Sequence, residues 1–277
     1  MNPTTPPTSP SSPPPTRRGV VLAVAGGPPL LAPPDDWVRA LGLDPADHPA
    51  PPADPDELVL WFSDGPLALG FCRDGTRRAH RLDFDRDAPT DRASTALLCR
   101  AVGLGRGVRT VIDATAGFGR DSLALAAAGA EVTMIERHPV LAAMLRDALA
   151  RAPDARGLRL IVADARDHLE SLRRDASASP DAIYLDPMYP DRGKTALPRS
   201  AAQILRALHD HEETHEPLIA DVELLRAARA IARRRVVVKR PPRAPALADG
   251  QTIAVMHGSR ARYDIYAPSP RNTASAP

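Results

Sequence analysis

Aromatic residues are scarce in this chain of 277 residues, at 4%. With 43% of residues hydrophobic, a core is still expected, but it must be built from Leu, Val, Ile and Ala. Cysteine is nearly absent. Cys72 and Cys99 fit no metal-binding or redox spacing, which sets aside a disulfide framework and points to two reduced thiols. No apolar run approaches the roughly 20 residues of a membrane span. The start of the chain is neither basic-then-apolar nor Arg-rich and amphipathic, so no signal or transit peptide is expected. A formal net charge of +2 says little about partners, so its distribution matters more. These absences point to a soluble cytoplasmic protein, with one large domain or one domain and a small appendage.

The chain is organised around Arg109 to Arg137. A short apolar run ends in Asp113 and a turn follows, Ala116-Gly117-Phe118-Gly119. An alanine- and leucine-rich helix is expected from about Arg120 and is stopped by Gly129. A second apolar run, Glu131 to Ile135, then ends in Glu136. This order of strand, glycine turn, helix, strand and acid suits a nucleoside cofactor. Glycine lets the backbone come close, the helix N-terminus offers free N–H groups, and the acid accepts the ribose hydroxyls. Ser122 stands at the third glycine position, so the full dinucleotide fingerprint is not met. Asp121 also suits the first turn of a helix on electrostatic grounds alone, and Glu136 could be a solvated strand-end charge.

Residues 1–18 are Pro, Ser and Thr with almost nothing apolar, and are read as a disordered tail. Residues 19–88 are expected to form a small β-rich unit, with strands at Gly19 to Ala25, Glu57 to Phe62, Leu67 to Cys72 and Ala79 to Phe84. The third unit spans 89–267. Its helices are expected at Thr90 to Val102, Pro139 to Arg151, Ala165 to Arg173, Pro198 to His209 and Pro217 to Arg233. Its further strands are expected at Leu158 to Val162, Asp181 to Leu185 and Val236 to Val238. A closing hairpin runs from Thr252 to Ala267 around His257-Gly258-Ser259, and residues 268–277 read as a frayed tail. Strands alternating with helices indicate an α/β fold, a mostly parallel sheet covered on both faces. A hairpin at the end is foreign to a simple dinucleotide-binding domain. It belongs to the Rossmann-like class I methyltransferase fold, seven strands with an antiparallel last strand.

Asp186-Pro187-Met188-Tyr189-Pro190 follows the fourth strand of that unit, at the carboxyl edge where ligands bind. An exocyclic amine of a base is a poor nucleophile, because its lone pair is delocalised into the ring. Hydrogen bonds from the amine to Asp186 and to the Pro187 carbonyl favour a pyramidal nitrogen, and Tyr189 offers a ring for the base to stack on. A sulfonium leaving group needs neither a metal nor a strong general acid. A rigid turn is the plainer reading of the two prolines. Asp164, ending the third strand, could approach a cofactor base or cap the following helix. From Arg226 to Arg243 the chain carries Arg226, Arg229, Arg233, Arg234, Arg235, Lys239, Arg240 and Arg243 and no acid. Such a run is either a solvated face or a phosphate-contacting surface, with His257, Arg260 and Arg262 as possible additions.

The segments D-A-T-A-G-F-G-R-D, I-E-R-H-P, Y-L-D-P-M-Y-P, V-V-V-K-R-P and R-Y-D-I-Y-A together resemble the bacterial small-subunit ribosomal RNA methyltransferase J family. The resemblance covers about residues 57–267 in order. It implies transfer of a methyl group from S-adenosylmethionine, leaving S-adenosylhomocysteine, to the N2 amine of a guanine in 16S ribosomal RNA. The partner is then 16S RNA or the 30S particle, and no metal, no membrane and a monomer are expected besides. By the resemblance, cofactor contacts fall on Arg120, Asp121, Glu136, Arg137, Asp164, Ala165 and Asp186; the glycine-turn reading adds Asp113 and Gly117, and the motif after the fourth strand gives catalytic roles to Asp186, Pro187 and Tyr189. The family commonly has Ser-Ser where this chain has Asp164-Ala165. It also has a glycine-rich segment where this chain reads Arg86 to Arg92. The rivals are an adenine-N6 methyltransferase with a similar Asp/Asn-Pro-x-Tyr loop, a nicotinamide-dependent oxidoreductase, and a non-catalytic RNA-binding module.

Overall fold

Short apolar strands, each followed by a turn and a helix, build the larger of two sheets. The computed structural model describes residues 20–24, 58–62, 67–73, 76–86, 91–152, 157–174, 178–188, 217–248 and 251–270, with 201, 204, 205 and 208. The large sheet contains β5 (Thr110–Asp113), β6 (Glu131–Glu136), β7 (Leu158–Val162), β8 (Ala182–Leu185), β9 (Arg235–Arg240), β10 (Thr252–His257) and β11 (Arg262–Tyr266). Its order is β10-β11-β9-β8-β5-β6-β7. β11 runs antiparallel between β9 and β10, and the other pairings are parallel. The closing hairpin therefore inserts its last strand into the sheet, as the class I methyltransferase fold requires.

Among the described residues, five continuous helices flank this sheet. They are α1 (Arg92–Val102), α2 (Arg120–Ala127), α3 (Pro139–Arg151), α4 (Ala165–Leu172) and α5 (Pro217–Ile231). Their ends follow local chemistry. Asp91 caps α1 by accepting the Ser94 N–H, and Gly103 ends it in the left-handed conformation. Pro139 sits in the first turn of α3, where its missing N–H costs nothing. The period of two along each strand divides the core. In β8, Ala182 and Tyr184 face α1 and α2, while Ile183 and Leu185 face α4 and α5. Each fully buried aliphatic side chain contributes roughly 1.5–3 kcal/mol, so both faces are well sealed without many aromatics.

The small sheet has the order β1-β2-β3-β4, with β1 (Val20–Val24) parallel to β2 (Leu58–Phe62). β3 (Ala68–Arg73) and β4 (Thr76–Arg81) extend it antiparallel. The expected strand Ala79 to Phe84 lies three positions too late. Pairing of Arg73 with Thr76 carries the ladder up to the chain reversal. Leu82 and Phe84, whose apolar character suggested a strand, instead enter the core beneath α3. There Leu58, Leu60 and Leu69 of the small sheet meet Leu141, Met144 and Leu145. Asp147 of α3 accepts the Leu67 N–H at 3.0 Å, and Arg151 donates to the Leu82 carbonyl at 2.7 Å. The His80 ring lies 4.5 Å from that of Phe118, so the small sheet also braces the glycine turn.

Of the helix expected at Pro198 to His209, residues 201, 204, 205 and 208 are helical, and Ile204 and Leu208 are buried against α3's cluster. The remainder of that helix, the tail 1–18, Tyr189, Pro190 and residues 271–277 lie outside the described residues. No helix among the described residues is long and apolar enough to cross a membrane.

Candidate active site

The parallel strands β5, β6, β8 and β9 end in Asp113, Glu136, Leu185 and Arg240, all at one edge of the sheet. The glycine turn joins β5 to α2 at this edge. Gly117 and Gly119 both adopt positive φ, at 54° and 72°. At Gly119 a Cβ would stand 2.9 Å from Leu145 and 3.2 Å from Phe84, so packing as well as backbone conformation demands glycine. Asp113 is only 1% exposed. It accepts the Thr115 N–H at 3.1 Å and the Ser122 hydroxyl at 2.6 Å, and so pins the two ends of the turn together. Burial pushes its carboxyl up to about 7, against the pull of these two donors. Ser122, the departure from the glycine fingerprint, is the residue that satisfies this buried acid.

Glu136 leans back across the same turn. One carboxylate oxygen accepts the Gly117 N–H and the other the His138 N–H, both at 2.8 Å. Arg137 lies 3.9 Å from Asp164 on the surface. Asp164 caps α4, accepting from the N–H groups of Arg166 and Asp167. The capping alternative for Asp164 is thus realised, and Ala165 is the first residue of that helix. Arg120 is exposed at the first position of α2.

The most concentrated chemistry sits between α2, β8, β9 and β11. Lys239 donates to Asp121 at 2.7 Å and to Asp186 at 2.9 Å. Asp121 also accepts the Tyr184 hydroxyl at 2.5 Å. The Asp186 N–H donates to the Thr115 hydroxyl at 2.6 Å, which ties the segment after β8 to the segment after β5. Tyr263, paired with Lys239 in the sheet, completes the wall. Its hydroxyl is pushed up to about 12, by burial first and by Asp121 next. Burial also raises the Asp186 carboxyl, with Lys239 opposing and Asp121 adding to the rise. Burial works against the Lys239 ammonium, yet Asp186 and Asp121 together hold it raised. The cluster opens outward: the side chains of Lys239, Asp121 and Asp186 are 27%, 28% and 39% exposed. Pro187 is buried and Met188 is exposed beside it.

Of the expected site residues, Asp113, Gly117, Asp121, Glu136 and Asp186 therefore converge, whereas Arg137 and Asp164 form a separate surface pair. Lys239 and Tyr184 were not singled out for the site. Lys239 belonged to the basic run read as a phosphate surface, and the fold divides that run. Arg234 and Arg235 stand at the opposite edge of the sheet, donating to the carbonyls of Arg106 and Ala101. Arg229 binds the Ala267 carbonyl and Gln251. Arg240 is 2% exposed and donates to the Pro245 carbonyl, while Arg262 is clamped on Asp264. A single phosphate-binding face is not built from these residues. Among the described residues, no group of three or more His, Cys, Asp or Glu could hold a metal ion.

The chain is also similar to known proteins. A family model described as putative SAM-dependent methyltransferase matches residues 52–268. A ribosomal RNA small subunit methyltransferase J from Pseudomonas syringae pv. tomato is 37% identical over 244 residues, covering 83% of this chain and 85% of the relative. One of the same description from Thioalkalivibrio sulfidiphilus is 44% identical over 177 residues, covering 61% and 66%. Among solved structures, a SAM-dependent methyltransferase from Neisseria gonorrhoeae superposes with a TM-score of 0.68 at 29% identity. That match covers 91% of this chain and 97% of the other.

Proposed function

Because the chain belongs to the ribosomal RNA small subunit methyltransferase J family, we propose that it methylates the exocyclic N2 amine of a guanine in 16S ribosomal RNA. S-adenosylmethionine-dependent methylation of ribosomal RNA follows from the family. The choice of amine, and the role of each residue, are our reading.

S-adenosylmethionine supplies a methyl group on a positively charged sulfur. The residues present suit it. Glu136 stands at the end of β6, where an acid would hold the ribose hydroxyls, and the Gly117–Gly119 turn brings backbone beside it. Asp121 and Arg120, at the start of α2, are assigned to the methionine end. Asp113 supports the turn from behind. Arg137, Asp164 and Ala165 are left the rim near the cofactor base.

The observation that carries the reading is the position of Asp186. It follows β8 at the carboxyl edge, fixed by Thr115 and Lys239 and facing Asp121 across one ammonium. Lys239 takes Oδ2, which leaves Oδ1 to accept a hydrogen of the target amine and, after methylation, the proton that the nitrogen gives up. The Pro187 carbonyl takes the second amine hydrogen, and Tyr189 stacks on the base once it is turned out of its helix. None of this calls for a metal. We take the protein to act as a monomer on RNA in the cytoplasm. Residues 89–267 are assigned to this activity and residues 19–88 to a supporting unit.

Purified protein with radiolabelled S-adenosylmethionine, offered 30S particles, naked 16S RNA and duplex DNA, tests the proposal. N2-methylguanosine at one position of 16S RNA is expected. N6-methyladenosine, or label in DNA, would overturn it. Calorimetry with S-adenosylhomocysteine and with NAD separates the oxidoreductase alternative.

A further inference from the structure

We infer that Lys239 is a positioning residue for methyl transfer: its ammonium, seated between Asp121 and Asp186, keeps Asp186 ionised so that it remains an acceptor for the target amine. The inference rests on the reading of Asp186 given above. Its basis is geometric. Asp121 comes from the first turn of α2 and Asp186 from the segment after β8, and the two meet at one Nζ, at 2.7 and 2.9 Å. Two carboxylates that share a partly desolvated site without a cation between them do not both stay charged, and one takes a proton. A protonated Asp186 has lost acceptor capacity and presents an O–H donor to an amine that also donates.

The surroundings leave this task to Lys239. Asp113 approaches from β5, Tyr184 from β8 and Tyr263 from β11, with Cys99 of α1 behind Tyr263. None of these four supplies a positive charge. Tyr184 gives its hydroxyl hydrogen to Asp121 rather than to Asp186. Among the described residues Lys239 is therefore the cation that acts on Asp186, and its sequence distance from Asp186, 53 residues, is bridged by the adjacency of β8 and β9. The two carboxylates and one ammonium of Asp121, Asp186 and Lys239 together carry one net negative charge. That charge complements the sulfonium of the methyl donor and is less suited to the uncharged thioether of the product.

The test compares wild type with Lys239→Gln, Lys239→Arg and Asp121→Asn, each confirmed to bind S-adenosylhomocysteine. The first readout is kcat against pH at saturating cofactor. The second is the titration of the Asp186 carboxyl by carbon NMR, which needs no activity. Loss of the ammonium should move the rising limb of the pH profile, and the Asp186 titration, upward by about one to three pH units. It should lower kcat at neutral pH by about tenfold or more, with partial recovery at high pH. Lys239→Arg should keep the wild-type limb. Asp121→Asn removes the competing carboxylate without touching the lysine, and should move the Asp186 titration downward. A uniform drop in kcat with an unmoved limb would reduce Lys239 to a structural brace and overturn the inference. So would an Asp186 titration indifferent to the substitutions. Were the wild-type protein inactive on 16S RNA, the proposed function would fall, while the carboxyl titration would still decide the ionic link.

Discussion

Replacing Asp113 by Asn should flatten much of the pH dependence of folding. The folded protein holds the Asp113 proton up to about pH 7, whereas an ordinary aspartate, and hence the unfolded chain, releases it near 3.8. Between these values the folded state binds more protons, so raising the pH destabilises it. The contribution is fully present below the unfolded value and is lost as the pH rises through the folded one. From 3.8 to about 7, at 1.36 kcal/mol per pH unit, this comes to about 4 kcal/mol. Roughly 3 kcal/mol of it falls between about pH 5 and pH 8. Asn fits the same place. Its oxygen can accept the Thr115 N–H, and its amide can donate to Ser122, whose hydroxyl rotates to accept. Urea unfolding of both proteins across this range gives the comparison, and the difference between them isolates Asp113 from other raised acids such as Asp221, at about 6. The Asn variant should gain about 3 kcal/mol on wild type from the acid to the alkaline end. A difference that stays constant within about 0.5 kcal/mol would refute the reasoning, because it would mean that Asp113 ionises in the fold as easily as out of it.

Three further outcomes are expected. Glu136→Ala strips the acceptor from the Gly117 and His138 N–H groups and from the proposed ribose hydroxyls. Binding of S-adenosylhomocysteine should weaken by about 1.5–3 kcal/mol in calorimetry, and unchanged binding would remove Glu136 from the cofactor site. Gly119→Ala adds a Cβ at φ 72° and 2.9 Å from Leu145, and should cost about 2 kcal/mol or more in urea unfolding. Tyr189→Ala should lower kcat/KM on 16S RNA by about tenfold to a hundredfold while Tyr189→Phe stays near wild type, since stacking is worth about 1–3 kcal/mol per base and needs the ring alone.

What could be read from the residues was whatever depends on short spacing. The glycine turn, the acids ending β5 and β6, the caps of α1 and α3 and the closing hairpin are all fixed by neighbours within a few positions. Asp113 and Glu136 were readable for that reason, although their hydrogen bonds to Ser122 and Gly117 give them a scaffolding duty that spacing alone does not reveal. Lys239 was not readable. It meets Asp121 across 118 residues, a contact made only when β9 enters the sheet beside β8. Within the linear run from Arg226 to Arg243 it looks like every other cation.

The period of the strand then separates what the sequence presents as one patch. Lys239 and Arg240 are adjacent, so they point to opposite faces of β9. One reaches the α2 side and Asp121, the other the Pro245 carbonyl, while Arg234 and Arg235 are left at the far edge of the sheet. A cluster of like charges in sequence is thus weak evidence for an RNA surface whenever it spans a buried strand. On the same strand Lys239 meets two acids, Asp121 and Asp186, with one ammonium between them, and under the proposed function that arrangement lets a half-buried Asp186 serve as an acceptor.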